Sequence, residues 1–280
     1  MEKTSDSKGK VNVRLVAMGN IINELDSFQI THWKSHLFSI EKEVKRGFLP
    51  LKAGMKPWAY SDVQLDNAFS QINNLSKADI TFYILDAPIQ YNYLSRILSE
   101  NRIVLTYYQA KEMLERESIP LENYILSHIY AYVLLFLAKA NKTIGPTDEL
   151  DISHDYREGC LFDMCGVKQE VIYKCVQPII CERCKTYLIN HGVTRDDIII
   201  AEREQKKLKR SLYNRIVRKM KSYPVMTFIL SCWLAIIMSV IANCFTGCYE
   251  ISCYPLLIIW LAITAVCILG TFISKIHINF

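Results

Sequence analysis

The sequence predicts an α/β cytosolic domain, with a mixed sheet, helices and a structural zinc knuckle, followed by a two-helix transmembrane hairpin. Three observations carry this prediction. Short apolar strands alternate with helical patterns from residue 11 onwards, cysteines cluster between residues 160 and 184, and two uncharged stretches of 21 residues lie near the C-terminus. Such alternation is typical of a partly parallel sheet, clustered cysteines indicate metal ligands, and about 20 apolar residues span a bilayer as a helix.

The strands and helices of the predicted domain follow one another along the chain. Period-2 and continuous apolar patterns indicate strands, whereas a 3.6-residue period indicates helices. The predicted strands are VNVRLVAMG (11–19), SHLFSIEKEV (35–44), ADITFYILDAP (78–88) and RIVLTYY (102–108), and the predicted helices are NYLSRILSEN (92–101), QAKEMLERES (109–118) and PLENYILSHIYAYVLLFLAKAN (120–141).

The charge of the chain is concentrated in one segment. The net charge of the 280 residues is +5, but residues 202–221 contain nine basic and two acidic side chains, so the remainder is nearly neutral. A general affinity for nucleic acid is therefore not indicated. We expect a disordered N-terminus over 1–10, a cytosolic α/β zinc-binding sensor domain over 11–200, a basic amphipathic linker helix over 201–223 and a transmembrane hairpin over 224–275.

The two uncharged stretches, 225–245 and 254–274, are each long enough to cross a membrane. The basic segment precedes the first stretch, Lys275 follows the second, and the short loop between them contains no Lys or Arg. By the positive-inside rule both termini are cytoplasmic, which predicts a multi-pass membrane protein. One helical face of the second stretch, which would pack helices together or line a pore after oligomerisation, carries Thr264, Cys267, Thr271 and Ser274.

The cysteine cluster has the spacing of a zinc site. Cys181 and Cys184 form a C-x-x-C pair, and His154 and Cys160 lie upstream. Together these four residues supply one nitrogen and three sulfurs, the ligand set of a closed tetrahedral zinc site. Cys165 could replace His154 in an all-sulfur site. The competing interpretation is a set of buried free thiols.

The stretch GCLFDMC…IICERC resembles the C-terminal part of the archaemetzincin metalloproteases, in which a zinc helix is followed by a cysteine, a methionine-bearing turn and a closing C-x-x-C that hold a second, structural zinc. The resemblance covers about residues 120–186. It aligns LSHIYAYVLLFL with the catalytic helix and His128 with its first histidine, but Ile129 stands where the general-base Glu belongs and Tyr132 where the second His belongs. It therefore implies a retained structural zinc and a missing catalytic site. We expect a chain that is not an enzyme.

A candidate ligand site lies where two predicted strands end. Asp86 closes one strand, and Tyr107, Tyr108 and Lys111 follow the next. Ligands of α/β domains commonly bind at such strand ends, where a tyrosine could stack on a base and Lys111 could bind a phosphate. The alternatives are that Asp86 caps a turn or helix and that the tyrosines pack beneath a helix.

The overall layout resembles the membrane effectors of bacterial anti-phage systems, of which the CBASS and Hailong groups are examples. This resemblance implies a homo-oligomer that senses a nucleotide or oligonucleotide from a partner nucleotidyltransferase. Its hairpins would form a pore or ion channel in the lipid bilayer and depolarise the inner membrane. Two alternatives stay open: a membrane-bound zinc hydrolase, in which His128, Asp86 and His154 converge on an open metal, and a membrane-tethered adaptor.

Overall fold

The computed structural model describes residues 9–19, 27–49, 59–72, 78–155 and 159–208, with residues 229, 232, 233, 235 and 236. The chain divides into two compact units, Met1–Arg210 and Ser211–Phe280. The strands and helices below belong to the first unit.

Within the described residues, six strands form one mixed sheet. Strands β1 (Val11–Met18) and β4 (Ile80–Leu85) pair in parallel at its centre, and almost all of their residues are buried. Such continuous apolar strands are typical of parallel sheets that are covered on both faces. Strands β2 (Phe38–Ile40) and β3 (Lys45–Gly47) pair in parallel with β1, and β6 (Arg102–Thr106) pairs in parallel with β4. The prediction of an α/β domain with a mixed sheet is confirmed.

The segment 92–101 contains a strand, and the helix predicted there is wrong. Strand β5 (Ser95–Ser99) runs antiparallel to β6, which gives the sheet order β2–β1–β4–β6–β5 with β3 also on β1. Asn101 adopts a left-handed conformation with φ 55° in the tight turn between the two strands, and a short polar side chain tolerates this conformation. The apolar spacing of residues 94–98 fits a helix, but the hairpin pairs their backbone with β6 instead.

Helices surround the sheet and form the C-terminal half of the unit. Helices α2 and α8 both begin with capping boxes, formed by Ser61 with Gln64 and by Thr194 with Asp197. In chain order the helices of the described part are α1 (Ser27–Thr31), α2 (Asp62–Ser70), α3 (Ala110–Arg116), α4 (Leu121–Leu137), α5 (Pro146–Ile152), α6 (Val171–Val176), α7 (Glu182–Asn190) and α8 (Arg195–Gln205), with short 3₁₀ turns at Gln90–Asn92 and Lys168–Glu170.

Helix α4 is the buried helix that the sequence predicts. It begins directly after Pro120, and every residue from Glu122 to Phe136 is buried. A helix that is covered on all sides must pair its own polar groups. Tyr124 accordingly donates from its hydroxyl to the carbonyl oxygen of Thr106 at 2.6 Å. This hydrogen bond connects helix α4 to strand β6.

Glu204 anchors α8 to the rest of the unit. Its carboxylate is buried and accepts hydrogen bonds from Ser35 Oγ at 2.6 Å, from the His36 backbone N–H at 2.8 Å and from the Tyr130 hydroxyl at 2.7 Å. Burial by itself would raise the pKa of Glu204, but these donors outweigh it and lower that pKa. The carboxylate of Glu204 therefore connects helix α8 to the rest of the unit through several hydrogen bonds.

The predicted transmembrane hairpin lies outside the described residues except at five scattered positions. The predicted stripe of Thr264, Cys267, Thr271 and Ser274 lies outside them as well, as do most of the predicted N-terminal segment 1–10 and the linker beyond residue 208. In the part of the chain that is described, no helix combines the length and apolar character needed to cross a membrane.

Candidate metal centre

Four predicted ligands meet at one point in the C-terminal half of the domain. The ligand atoms of His154, Cys160, Cys181 and Cys184 all lie within 4.8 Å of one another. His154 Nε2 is 3.3 Å from Cys160 Sγ and 3.4 Å from Cys181 Sγ, and the sulfurs of Cys160 and Cys184 are 3.9 Å apart. The structure thus brings together the set of one nitrogen and three sulfurs that the spacing predicts.

These distances match the edges of a zinc tetrahedron. Zinc–sulfur bonds of about 2.3 Å and zinc–nitrogen bonds of about 2.0 Å place tetrahedral ligands about 3.8 Å apart for two sulfurs and about 3.6 Å apart for nitrogen and sulfur. Each of the measured distances lies within a few tenths of an ångström of these edges. The residues therefore fit zinc, and the prediction of a zinc cofactor is confirmed.

The backbone around Cys160 lies close to the segment that precedes Cys181. Gly159 has a φ of 83°, and a Cβ at this position would lie 3.0 Å from the carbonyl oxygen of Gln177. A residue with a side chain would be strained and crowded there. Ile179 donates its N–H to Gly159 O at 2.9 Å, and Leu161 donates to Ile179 O at 3.0 Å. This short ladder places the Cys160 segment beside the segment that leads into Cys181.

The C-x-x-C pair lies at the start of α7. Cys181 is the residue that precedes the helix, and Cys184 lies in its first turn. The free N–H groups at a helix N-terminus favour negative charge, so this position stabilises thiolates. His154 follows the end of α5, and its N–H donates to Phe162 O at 3.2 Å. Three separate segments therefore converge on the metal.

The thiols of Cys160 and Cys184 influence each other. The contact with Cys184 lowers the pKa of Cys160 to about 5, and backbone N–H donors of Cys181 and Phe162 assist against the opposing effect of burial. The same contact raises the pKa of Cys184. Buried thiolates repel one another, so a divalent cation is needed for all of them to ionise together. Four protein ligands leave no position for water, so zinc held by these residues would join segments rather than activate a nucleophile.

Two further cysteines lie outside the metal cluster. Cys165, the predicted alternative to His154, is buried in a left-handed conformation with φ 51°, and its sulfur is 3.8 Å from Asp163 O. Burial raises its pKa. Burial also raises the pKa of Cys175 to about 12. Both side chains therefore behave as protonated, apolar thiols.

The predicted ligand-binding residues lie where the sequence places them, at the ends of β4 and β6. Asp86 is exposed, whereas Tyr107 is only 1% exposed and offers no open ring face. Tyr108 is half-buried, with Lys168 Nζ 5.6 Å from its ring centre. Lys111 donates its N–H to Tyr107 O at 2.9 Å. Nucleotide binding by these residues stays a prediction.

A cavity of about 100 Å³ adjoins the metal cluster. Residues 161–164 line it, directly after the ligand Cys160, and Ile152 and Ser153 line it just before His154. Ionisable side chains also reach its wall, among them His128 and Tyr132 from α4, Glu149 from α5 and Lys174 from α6. Sequence reasoning missed Glu149 and Lys174. The one signal for Lys174 was a charged residue within an otherwise apolar helix, next to a cysteine.

The carboxyl and imidazole groups of the cavity are paired within its wall. Glu149 accepts from the Tyr132 hydroxyl at 2.5 Å and from the Ile97 N–H at 3.0 Å, and burial raises its pKa. His128 Nδ1 lies 2.8 Å from Tyr124 O, to which it donates. Burial, with the nearby charge of Lys174, lowers the pKa of His128 to about 3, so the imidazole is neutral.

The open metal of the hydrolase alternative is not formed in the described residues. His154 belongs to the four-ligand cluster, His128 lines the cavity, and Asp86 is exposed at the end of β4. The candidate ligands that the structure brings together are therefore one histidine and three cysteines, and they include neither His128 nor Asp86.

Comparison with known proteins gives one structural match. No protein-family model matches the chain, and no curated protein does. Among solved structures, the crystal structure of an archaemetzincin from Methanopyrus kandleri matches with 14% sequence identity and a TM-score of 0.42, over 65% of this chain and 95% of that one.

The expectation that the chain is not an enzyme is corrected by this match. Archaemetzincin is a zinc metallopeptidase, and the expectation had rested on the replacement of two catalytic residues in α4.

Proposed function

We propose that the chain is a zinc-stabilised ligand-binding protein, and that a small molecule in the cavity beside the zinc controls a membrane-embedded hairpin. The observation that carries the proposal is that the cavity and the metal cluster are formed by one continuous stretch of chain. Residues 161–164 line the cavity and continue directly from the metal ligand Cys160. A ligand in the cavity therefore contacts the same segment that the zinc holds in place.

The membrane part of the proposal rests on the sequence. The uncharged stretches 225–245 and 254–274 would form the hairpin, preceded by the basic linker 201–223. In this proposal the chain forms a homo-oligomer in the bacterial inner membrane, with both termini in the cytoplasm, and its hairpins assemble into a pore during anti-phage defence. A nucleotide or oligonucleotide signal would use the strand ends at Asp86, Tyr108 and Lys111.

Membrane potential tests the effector proposal. We expect bacteria that express the full chain to depolarise, as measured with a voltage-sensitive dye, either alone or with a partner nucleotidyltransferase. A chain truncated after residue 210 should not depolarise them, and neither should a variant with Thr264, Cys267 and Thr271 changed to Leu. No depolarisation by the full chain in either setting would contradict the pore and favour the membrane-tethered adaptor.

Catalysis in the same cavity is the second candidate function. One observation favours it: Glu149 faces the cavity beside the Tyr132 hydroxyl, and burial raises the pKa of its carboxyl. A carboxyl whose pKa is raised by burial is a candidate general acid or base. We expect any hydrolysis of peptide, amide or ester substrates by the purified full chain to be lost in Glu149→Gln, with zinc content unchanged. Absence of turnover in the wild type, or equal turnover in the variant, would contradict this candidate.

A further inference from the structure

The cavity wall contains a buried cation that has no anionic partner. Lys174 is 6% exposed, and its Nζ donates to the backbone carbonyl oxygen of Asp163. None of the carboxylates in the described residues forms an ion pair with it. Burying an ammonium group without a counter-charge is costly, and buried lysines are ordinarily paired. The buried ammonium group of Lys174 therefore lacks the counter-charge that a bound anion would supply.

The acidic groups of the cavity wall, Glu149 and Asp163, are already engaged with other donors. Both oxygens of Glu149 accept hydrogen bonds, from Tyr132 and Ile97. Asp163 Oδ1 accepts from the Cys165 N–H at 3.0 Å. The other cation in the wall, Arg96, pairs with Asp62 at 3.1 Å. Lys174 is thus the cation in the described wall that forms no ion pair, although its charge acts through space on Glu149 and its ammonium group also contacts the Cys165 thiol.

The rest of the wall sets the chemistry and size of that ligand. Much of it is apolar, including Leu135, Leu161 and Met164. A space of about 100 Å³ that is partly open to solvent is of the same order as the roughly 150 Å³ cavity that binds benzene, so it takes a ligand of about six to eight heavy atoms. A nucleotide, with more than about twenty heavy atoms, is too large for it. Phosphate groups are also usually held by several donors or a guanidinium fork, whereas one ammonium group suits a monoanion.

We propose that this cavity binds a small aliphatic carboxylate of about the size of hexanoate. The carboxylate pairs with Lys174 Nζ, and the alkyl chain packs against the apolar wall. This inference rests on the ligand-binding part of the proposed function and names the chemical class of the ligand. It does not depend on pore formation or on catalysis.

Calorimetric titration of the purified full chain in maltoside detergent tests the ligand class. The probes are the straight-chain acids from acetate to octanoate, with hexanamide and hexanol as uncharged controls. We expect affinity to rise roughly fourfold per methylene up to about hexanoate and then to fall, because each buried methylene contributes about that factor. Hexanamide and hexanol should bind at least about tenfold more weakly, because they lack the charge-assisted contact. Absence of binding by every acid would overturn the proposal.

Two variants separate a binding role of Lys174 from a structural one. Lys174→Met should abolish the preference for hexanoate over hexanamide, retain its zinc, and unfold at the same or a higher denaturant concentration than the wild type, since it removes an unpaired buried charge. The matched control, Lys185→Met, removes a lysine that pairs with Glu182 and Glu202, and it should leave the acid preference unchanged.

The second variant is Ala131→Val, which narrows the cavity from α4 and should move the optimum to an acid that is shorter by about two carbons. An unchanged optimum in Ala131→Val, or undiminished hexanoate binding in Lys174→Met, would overturn the proposal. If the acids fail to bind while the full chain still depolarises bacteria, this inference is wrong and the effector proposal stands.

Discussion

The metal cluster and the cavity share one stretch of chain, residues 160–164, but their buried polar groups differ in whether the protein supplies all of their partners. In the cluster, four ligand atoms lie within 4.8 Å of one another, and a single zinc ion would satisfy them all. In the cavity, Glu149 and His128 find partners within the wall, whereas Lys174 does not find an anion. The difference supports the proposals that zinc at the cluster would contribute stability and that the cavity takes up an outside molecule.

The largest expected effect comes from breaking the metal cluster. Cys184→Ser should lower the free energy of unfolding by about 5 kcal/mol or more, because structural zinc contributes directly to folding. Denaturant unfolding measures the loss, and metal analysis should find less than one zinc per chain. The matched control is Cys165→Ser, which changes a buried cysteine outside the cluster. If Cys165→Ser also loses zinc, the assignment of His154 as the fourth ligand is wrong.

The metal cluster was predictable from the sequence because zinc has a fixed geometry. A C-x-x-C pair at the start of a helix already places two sulfurs at tetrahedral spacing, so only two further ligands had to be found upstream. The central strands were also predictable, since β1 and β4 are continuous apolar runs.

The cavity and strand β5 were not predictable, because both depend on contacts between distant residues. Glu149 and Lys174 are separated by 25 positions and meet only when α5 and α6 pack beside α4. The residues of β5 have a helical spacing, but pairing with β6 decides their conformation. Local periodicity contains no information about such a partner.

The next largest effect concerns the polar corner of the cavity. Glu149→Ala removes the acceptor of the Ile97 N–H and one of two acceptors of the Tyr132 hydroxyl, which keeps Ser95 Oγ at 2.9 Å. It should lower the free energy of unfolding by about 1–2 kcal/mol because a buried N–H loses its partner. Glu149→Gln keeps an acceptor and should cost less. Denaturant unfolding of both variants at pH 7 measures the difference. Equal losses would show that the buried donors do not need this acceptor.

The pH dependence of Glu149→Gln sharpens this result. Because burial raises the folded pKa of Glu149 above the unfolded value of 4.5, the stability contributed by its carboxyl is present below pH 4.5 and is lost as the pH rises through the higher folded pKa. The glutamine variant does not ionise. Its stability relative to the wild type should therefore increase from pH 4.5 to pH 8, as measured by unfolding at each pH. A constant difference over this range would contradict the raised pKa.

The smallest expected effect concerns the neutral imidazole of His128. It is a pH dependence of stability that arises in the cavity and not in the metal cluster. The folded pKa of about 3 lies well below the unfolded value of 6.5, so the unfolded chain takes up a proton first as the pH falls. Wild-type stability should therefore decrease by about 0.7 kcal/mol between pH 7 and pH 6 through this residue. His128→Gln should lose that part of the pH dependence while it retains one zinc per chain. Unfolding curves of the zinc-saturated proteins at both pH values measure the effect. The same slope in both proteins would mean that His128 is not held neutral, and that the cavity wall tolerates a second positive charge beside Lys174.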